Sequence, residues 1–318
     1  MLDESISRRY FLKAAGSAAI IAAAGTLGCV GGQGSSGPTI TPAASPAGTP
    51  AAASGKLVVA TDADPVKLVD KALDAYGGLS GIIRQGDRVF VKANFSWNNR
   101  PEEGGCNNPQ VLARIMQRCK EAGAGSVTAI DYTIDNGQQC LQNSGIKKAV
   151  EDAGLAVRAF RYDDFEDRAA EGVTLKSTQV PKLLKDCDAL VNVPAVKSHG
   201  NALLSAGMKN LMGLIRERNA LHDGSLDQNI SDLAALFRPD LTIADAYLVV
   251  KNNGPRGSRD AGDLSHPQQV VVSDDFVAVD AYCTGYLDLM PEDVAHVRLA
   301  AHDGLGKIDL SKMNIIKV

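Results

Sequence analysis

The sequence predicts an α/β fold: a mostly parallel sheet or sheets, helices on both faces, and room for two lobes. Short apolar runs alternate with longer stretches of helical periodicity from Leu57 onward. That alternation calls for right-handed crossovers between parallel strands. Polar side chains recur where the apolar runs end, which is where open parallel sheets form their ligand crevice.

In chain order the first element is an export signal. Ser7 to Lys13 reads Ser-Arg-Arg-Tyr-Phe-Leu-Lys and runs into the apolar stretch Ala14 to Gly25, the layout of a twin-arginine signal. Its apolar part, about 12 residues, falls short of the ~20 a membrane-spanning helix needs. Residues 1–30 are therefore expected to address the folded chain to the twin-arginine translocase. The destination is the periplasm or the outer side of the cytoplasmic membrane. Cys29 follows Thr26, Leu27 and Gly28 and resembles a lipobox cysteine, although the leucine stands one place late. Lipidation of Cys29 is expected, with ordinary cleavage nearby as the alternative. Residues 31–55 carry no charge and consist almost wholly of Gly, Ala, Ser, Thr and Pro, a composition that cannot offset its ordering entropy and so reads as a flexible linker.

Residues 56–318 have the composition of a globular α/β domain. Strands are expected at Leu57 to Ala60, Arg88 to Lys92, Ser126 to Asp131 and Ala156 to Phe160, with helices over Pro109 to Ala122 and Gly137 to Ala153. The polar stretch Arg161 to Lys185, with a short edge strand at Gly172 to Ser177, separates the halves. The second half opens with a strand at Ala189 to Val193, followed by helices over Ser205 to Ile215 and Ser225 to Phe237. Leu241 to Val250 and Gln269 to Val272 read as strands, and Phe276 to Leu287 and Pro291 to His302 as helices.

Composition excludes several function classes. Without residues 1–30 the formal charge is −5, from 30 basic against 35 acidic side chains, and the chain has one Trp and seven Phe. Neither a basic face nor a stacking platform for nucleic acid follows from that balance. The five cysteines after Cys29 are Cys106, Cys119, Cys140, Cys187 and Cys283, and no two lie close enough for a local zinc or ferredoxin-type motif. Cys119 and Cys187 read as small buried hydrophobes, and in an oxidising compartment one or two disulfides would leave at least one thiol over. A metal or iron-sulfur cofactor would have to be assembled from distant residues.

The strand ends supply the chemistry. Lys92 and Asn94 close one strand, Asp131 another, Asn192, Lys197 and His199 follow a third, and Asp245 interrupts a fourth. Lys92, Lys197 and Lys209 each border an apolar segment, where a lysine either pairs with an anion or has its pKa lowered. Asn94, Asn192 and Asn210 add amides that can orient a carboxylate or phosphate. His199, in a Gly-bordered loop, is the candidate acid or base. Lys197, His199, Lys92 and Lys209 are thus the catalytic candidates. Asp131, Asp245 and Asp280 are the carboxylates available to a metal. The run Lys251 to Gly257 offers an anion-binding nest through Gly254 and Gly257, with Arg256 adding a charge.

The segments Val89 to Phe95, Leu190 to His199, Gly207 to Leu214, Arg238 to Ala246 and Val271 to Ala281, with Gly304-Leu305-Gly306, resemble the domain of unknown function family 362 over nearly all of Leu57 to Val318. The resemblance implies the fold and the choice of site but no reaction. The family is sometimes fused to a ferredoxin-like module and labelled iron-sulfur; this chain lacks the clustered cysteines of that module. Two functions are then expected. One is an exported enzyme, of redox or isomerising type, that uses His199 and a lysine for proton transfer on an anionic small molecule with a cofactor loaded before export. The other is a tethered periplasmic binding protein for an anionic small molecule or metal complex.

Overall fold

The computed structural model describes residues 54–222 and 224–318; the export signal, Cys29 and most of the linker lie outside the described residues. In chain order the strands are β1 (Lys56–Thr61), β2 (Arg88–Lys92), β3 (Ser126–Asp131), β4 (Ala156–Ala159), β5 (Phe165–Ala169), β6 (Ser177–Pro181), β7 (Ala189–Asn192), β8 (Ala195–His199), β9 (Leu203–Ser205), β10 (Leu241–Val250), β11 (Leu264–Ser265), β12 (Gln269–Ser273) and β13 (Asn314–Lys317). The helices are α1 (Pro65–Tyr76), α2 (Pro109–Glu121), α3 (Gly137–Asn143), α4 (Ile146–Asp152), α5 (Gly207–Asn210), α6 (Leu226–Phe237), α7 (Phe276–Cys283) and α8 (Ala295–His302).

Eleven strands form one mixed, mostly parallel sheet whose main path runs β13-β1-β12-β10-β7-β2-β3-β4. Strands from both halves of the chain pair within it, since β2 lies parallel to both β3 and β7. Alternation along the strands divides the core between the faces. Leu57 and Val59 of β1 join one apolar cluster with α6, α7 and α8, while Val58 and Ala60 join the other with α1, α2 and α4. Helices therefore cover both faces, as the sequence pattern requires.

Chain direction fixes where a site can form. From β2 the chain proceeds outward to β3 and β4 on one side, and later returns to place β7 and β10 on the other. The switch point thus lies between β2 and β7, and the carboxyl ends of these two strands are where an open sheet of this kind binds ligands. Lys92 and Asn192 end them, in register with each other.

Four local expectations are corrected. The stretch Gly137 to Ala153 is two helices, because Gly145 adopts φ +72° between them and breaks the hydrogen-bond ladder. In place of the edge strand at Gly172 to Ser177, residues 170–176 connect a β5–β6 hairpin whose second strand starts at Ser177, and Asp232 holds the connection by accepting from the Thr174 and Leu175 amides at 2.7 and 2.8 Å. Ser205 to Ile215 is not one helix: the end of β9, the single turn α5 and a 3-10 turn over Leu211–Leu214 follow one another. Lys197 and His199 lie on β8, which pairs with β9 and β10, and not in a loop. None of the buried cysteines Cys106, Cys119, Cys140, Cys187 and Cys283 forms a disulfide with another described residue.

Candidate functional site

A continuous buried network links the strand ends. Lys92 Nζ stands 3.0 Å from Asp131 Oδ1 and donates to Asn210 Oδ1 at 3.1 Å and to the Ala93 carbonyl. Asn210 Nδ2 donates to Asn192 Oδ1 at 2.8 Å and to the Lys92 carbonyl at 3.0 Å. Asn94 Nδ2 donates to the same Asn210 Oδ1 at 2.9 Å, and Asn94 Oδ1 accepts from Lys197 Nζ at 2.8 Å. Lys197 Nζ also donates to the Gly105 carbonyl at 2.5 Å. Asn107 carries the network to the next strand, its Oδ1 accepting from the Asn94 amide at 2.6 Å and its Nδ2 donating to Asp245 Oδ2 at 3.3 Å. Lys92, Asn94, Asn192, Asn210 and Lys197 therefore come together as the sequence predicts.

Backbone geometry holds this network closed. Gly213 packs against the Lys92–Asp131 pair so tightly that an added methyl group would stand 2.6 Å from Lys92 Cε and 2.8 Å from its Nζ, and would collide with Asp131 Oδ1. Gly213→Ala is expected to cost about 1–3 kcal/mol, measured as a lower midpoint in denaturant unfolding. Asp280 fixes α5: its two carboxylate oxygens accept from the Gly207 and Met208 amides at 2.5 and 3.0 Å. That turn in turn aims Asn210 at the strand ends.

The three carboxylates offered to a metal are thereby accounted for differently. Asp131 pairs with Lys92 and accepts from the Phe95 amide and Ser96 Oγ at 3.0 and 2.9 Å. Asp245 accepts from the Asn108 and Tyr247 amides at 2.8 and 3.1 Å, and Asp280 caps α5. No group of three or more His, Cys, Asp or Glu side chains able to hold a metal occurs among the described residues. The metal grouping of Asp131, Asp245 and Asp280 is corrected accordingly. The Gly254 to Gly257 nest is corrected too. The Gly254 amide donates to Ser198 Oγ at 3.0 Å, Gly257 packs on the Glu103 carbonyl, and Arg256 pairs with both Asp135 oxygens at 3.1 and 3.2 Å while lying 4.5 Å over the Trp97 ring. These groups clamp two loops together.

Electrostatics separates the lysines. Lys92 is matched by Asp131, which opposes the strong downward push of burial on its pKa. Lys197, 1% exposed, has amide and carbonyl oxygens as partners but no carboxylate among the described residues, and burial brings it down to about 8. Lys209 is half-buried, its Nζ meets only Met212 Sδ at 3.4 Å among the described residues, and burial together with repulsion from Lys197 and Arg218 brings it to about 8 as well. His199 Nδ1 accepts from the Asn201 and Ala202 amides, both at 3.2 Å. Burial, reinforced by Lys209, lowers the imidazole to about 3. It is therefore neutral near pH 7, and its proton sits on Nε2.

Three participants escaped the sequence reading. Asn107 bridges strands through one side chain. Arg218 donates to the Tyr132 and Thr133 carbonyls at 2.7 and 2.8 Å and lies 4.8 Å over the Tyr132 ring, at the carboxyl end of β3. Cys106 lines a cleft of about 260 Å³ with Asn108, Asp245, Tyr247 and His266, where the Asp245 end of the network meets open space. The first two sit in irregular segments without an apolar period to frame them, and only the cysteine had a sequence signal.

A family model described as a domain of unknown function, DUF362, matches residues 89–285, a span that begins before Lys92 and ends beyond Asp280. The chain belongs to the DUF362 family. Every member of the network, from Lys92 to Asp245, thus lies inside the DUF362 region. A thylakoid-associated protein of Synechocystis is 26% identical over 242 residues, covering 74% of this chain and 73% of its own. Among solved structures, the lactate racemase apoprotein from Thermoanaerobacterium thermosaccharolyticum superposes with a TM-score of 0.46 at 15% identity, over 72% of this DUF362 chain. This chain spans 56% of that protein's length.

Proposed function

We propose that the protein is an enzyme that moves a proton on an anionic small molecule, with Lys197 as the base and His199 as a hydrogen-bond donor. The observation that carries this reading is a pair of amines, Lys197 and Lys209, that have no carboxylate hydrogen-bond partner among the described residues and that burial brings down to about 8. An amine near neutrality can both take and return a proton at working pH. Lys197 is also oriented for it. When neutral it has two N–H bonds, which Asn94 Oδ1 and the Gly105 carbonyl accept, and its lone pair is left free to take a proton. In this reaction Lys197 removes a proton from a carbon next to a carbonyl group. The electrons move onto the carbonyl oxygen as an enolate, and the Lys197 ammonium, after exchanging with solvent, returns a proton to the same carbon and restores the carbonyl compound. His199, neutral and protonated at Nε2, donates to the developing enolate, while Lys209 holds the anionic group of the substrate.

The readout is solvent deuterium exchange. Keto acids and keto phosphate esters incubated with the protein in D2O are expected to exchange the carbon-bound proton, followed by NMR, and Lys197→Met is expected to slow exchange by at least about a hundredfold. Binding without exchange in every compound would instead make the protein a tethered binding protein. The sign of the pH response follows from Lys209. Anion binding needs its ammonium form, so affinity is expected to fall as pH rises through about 8, by up to tenfold per pH unit. The charged and titratable neighbours of Lys209 are Lys197 and His199 on β8, Arg218, and Asp227 on α6. Calorimetric titration from pH 6 to 10 checks the profile.

The address belongs to the same proposal: export through the twin-arginine translocase in folded form, and tethering through a lipidated Cys29. The relative described as thylakoid-associated supports a position near a membrane. Replacing Arg8 and Arg9 together by lysine is expected to retain the protein in the cytoplasm, read by cell fractionation. Cytoplasmic location of the unaltered chain would reject this part.

A further inference from the structure

We propose that the anionic group held at this site is a doubly charged, phosphate-type oxyanion gripped jointly by Lys209 and Arg218, so that the substrate class is a phosphate monoester. This rests on the anionic small-molecule reading above and names its ligand. The argument is one of charge and donors. Four basic side chains, Lys92, Lys197, Lys209 and Arg218, interact electrostatically around the network. Lys92 is paired with Asp131 and Lys197 is neutral as the base, so Lys209 and Arg218 are the cations whose donors meet no carboxylate among the described residues. Asp227 also attracts Lys209, but its Oδ1 is held by His296 Nδ1 at 3.1 Å, and Asp280 is committed to the α5 amides.

Arg218 is placed for this task. Other arginines of the chain face carboxylates: Arg114 and Arg118 meet Asp70, and Arg256 meets Asp135. Arg218 has no carboxylate partner among the described residues; two carbonyl oxygens and the Tyr132 ring hold it rigidly at the crevice. Among the described residues two of its five N–H bonds are used, and Lys209 has only a thioether as partner. Both side chains are partly open to solvent, so a ligand can reach them. With His199 Nε2–H, the unclaimed donors outnumber what the two oxygens of a carboxylate can absorb. They suit a group with three terminal oxygens and nearly two charges at neutral pH.

The test uses inorganic phosphate and acetate with the full-length protein, titrated calorimetrically at pH 7. Phosphate is expected to bind at least tenfold more tightly than acetate. Lys209→Met and Arg218→Met are each expected to lower phosphate affinity by tenfold or more, and Lys209→Arg to restore most of it, with circular dichroism checking that each variant is folded. Equal affinity for acetate and phosphate, or phosphate affinity unchanged in both methionine variants, overturns the proposal. Lys197→Met separates this inference from the enzyme reading. Exchange on keto acids without phosphate preference rejects the phosphate assignment and leaves the enzyme standing. Phosphate binding that needs Lys209 and Arg218, with no exchange in any compound, supports the phosphate site and rejects the enzyme.

Discussion

Asp131→Ala is expected to remove about 3–5 kcal/mol of stability, because it leaves the Lys92 ammonium buried without its counter-charge. Both side chains are 1% exposed or less, and Gly213 packs against the pair. Chemical unfolding measures the loss. Asp131 also accepts from the Phe95 amide and Ser96 Oγ, so the alanine variant strands two further donors. A double replacement, Lys92→Met with Asp131→Leu, is expected to recover most of the loss, since exchanging a buried ion pair for apolar groups of similar volume is often close to neutral. If Asp131→Ala costs less than 1 kcal/mol, the pair is not the anchor of the network.

Lys197→Met is expected to lower the rate of deuterium exchange by about 10²–10⁴-fold, the usual contribution of a positioned acid or base. Lys197→Arg is expected to be as inactive, because a guanidinium stays charged and cannot take a proton at neutral pH. Asn94→Ala provides the graded case. It removes one of the two acceptors that orient the Lys197 amine, and a smaller loss with a shifted pH profile is expected. Full exchange activity in Lys197→Arg would end the assignment of Lys197 as the base.

Much of the site was legible in the sequence because the fold sorts it. A lysine or asparagine at the end of an apolar run in an α/β chain is carried to the crevice by strand direction alone, and so Lys92, Asn94, Asn192 and Asp131 could be read directly. Lys197 and Asn210 were legible as candidates, although the elements that carry them were not. The run around Lys197 reads as a loop because Pro194 and Gly200 bracket it, yet pairing with β9 and β10 makes it a strand. Asp280 shows the opposite failure. A carboxylate on a helix near the site reads equally as a ligand or a cap, and only the positions of the Gly207 and Met208 amides decide for the cap. Arg218 and Asn107 had no local pattern; tertiary contacts alone give them meaning.

The orientation of the sheet has a practical consequence for attaching this domain to a surface. β1 runs antiparallel to β12, and β12 antiparallel to β10, which is itself parallel to β7. The chain therefore enters β1 at the end of the sheet opposite the carboxyl ends of β2 and β7. Ser54 is fastened there, its amide and hydroxyl donating to Asp274 at 2.8 and 2.9 Å. Four strand spacings separate β1 from β2 along the sheet, roughly 19 Å at about 4.8 Å each. A chip, bead or fusion partner joined ahead of Ser54 would leave the mouth of the crevice pointing into bulk solution, ready for ligand without reorientation.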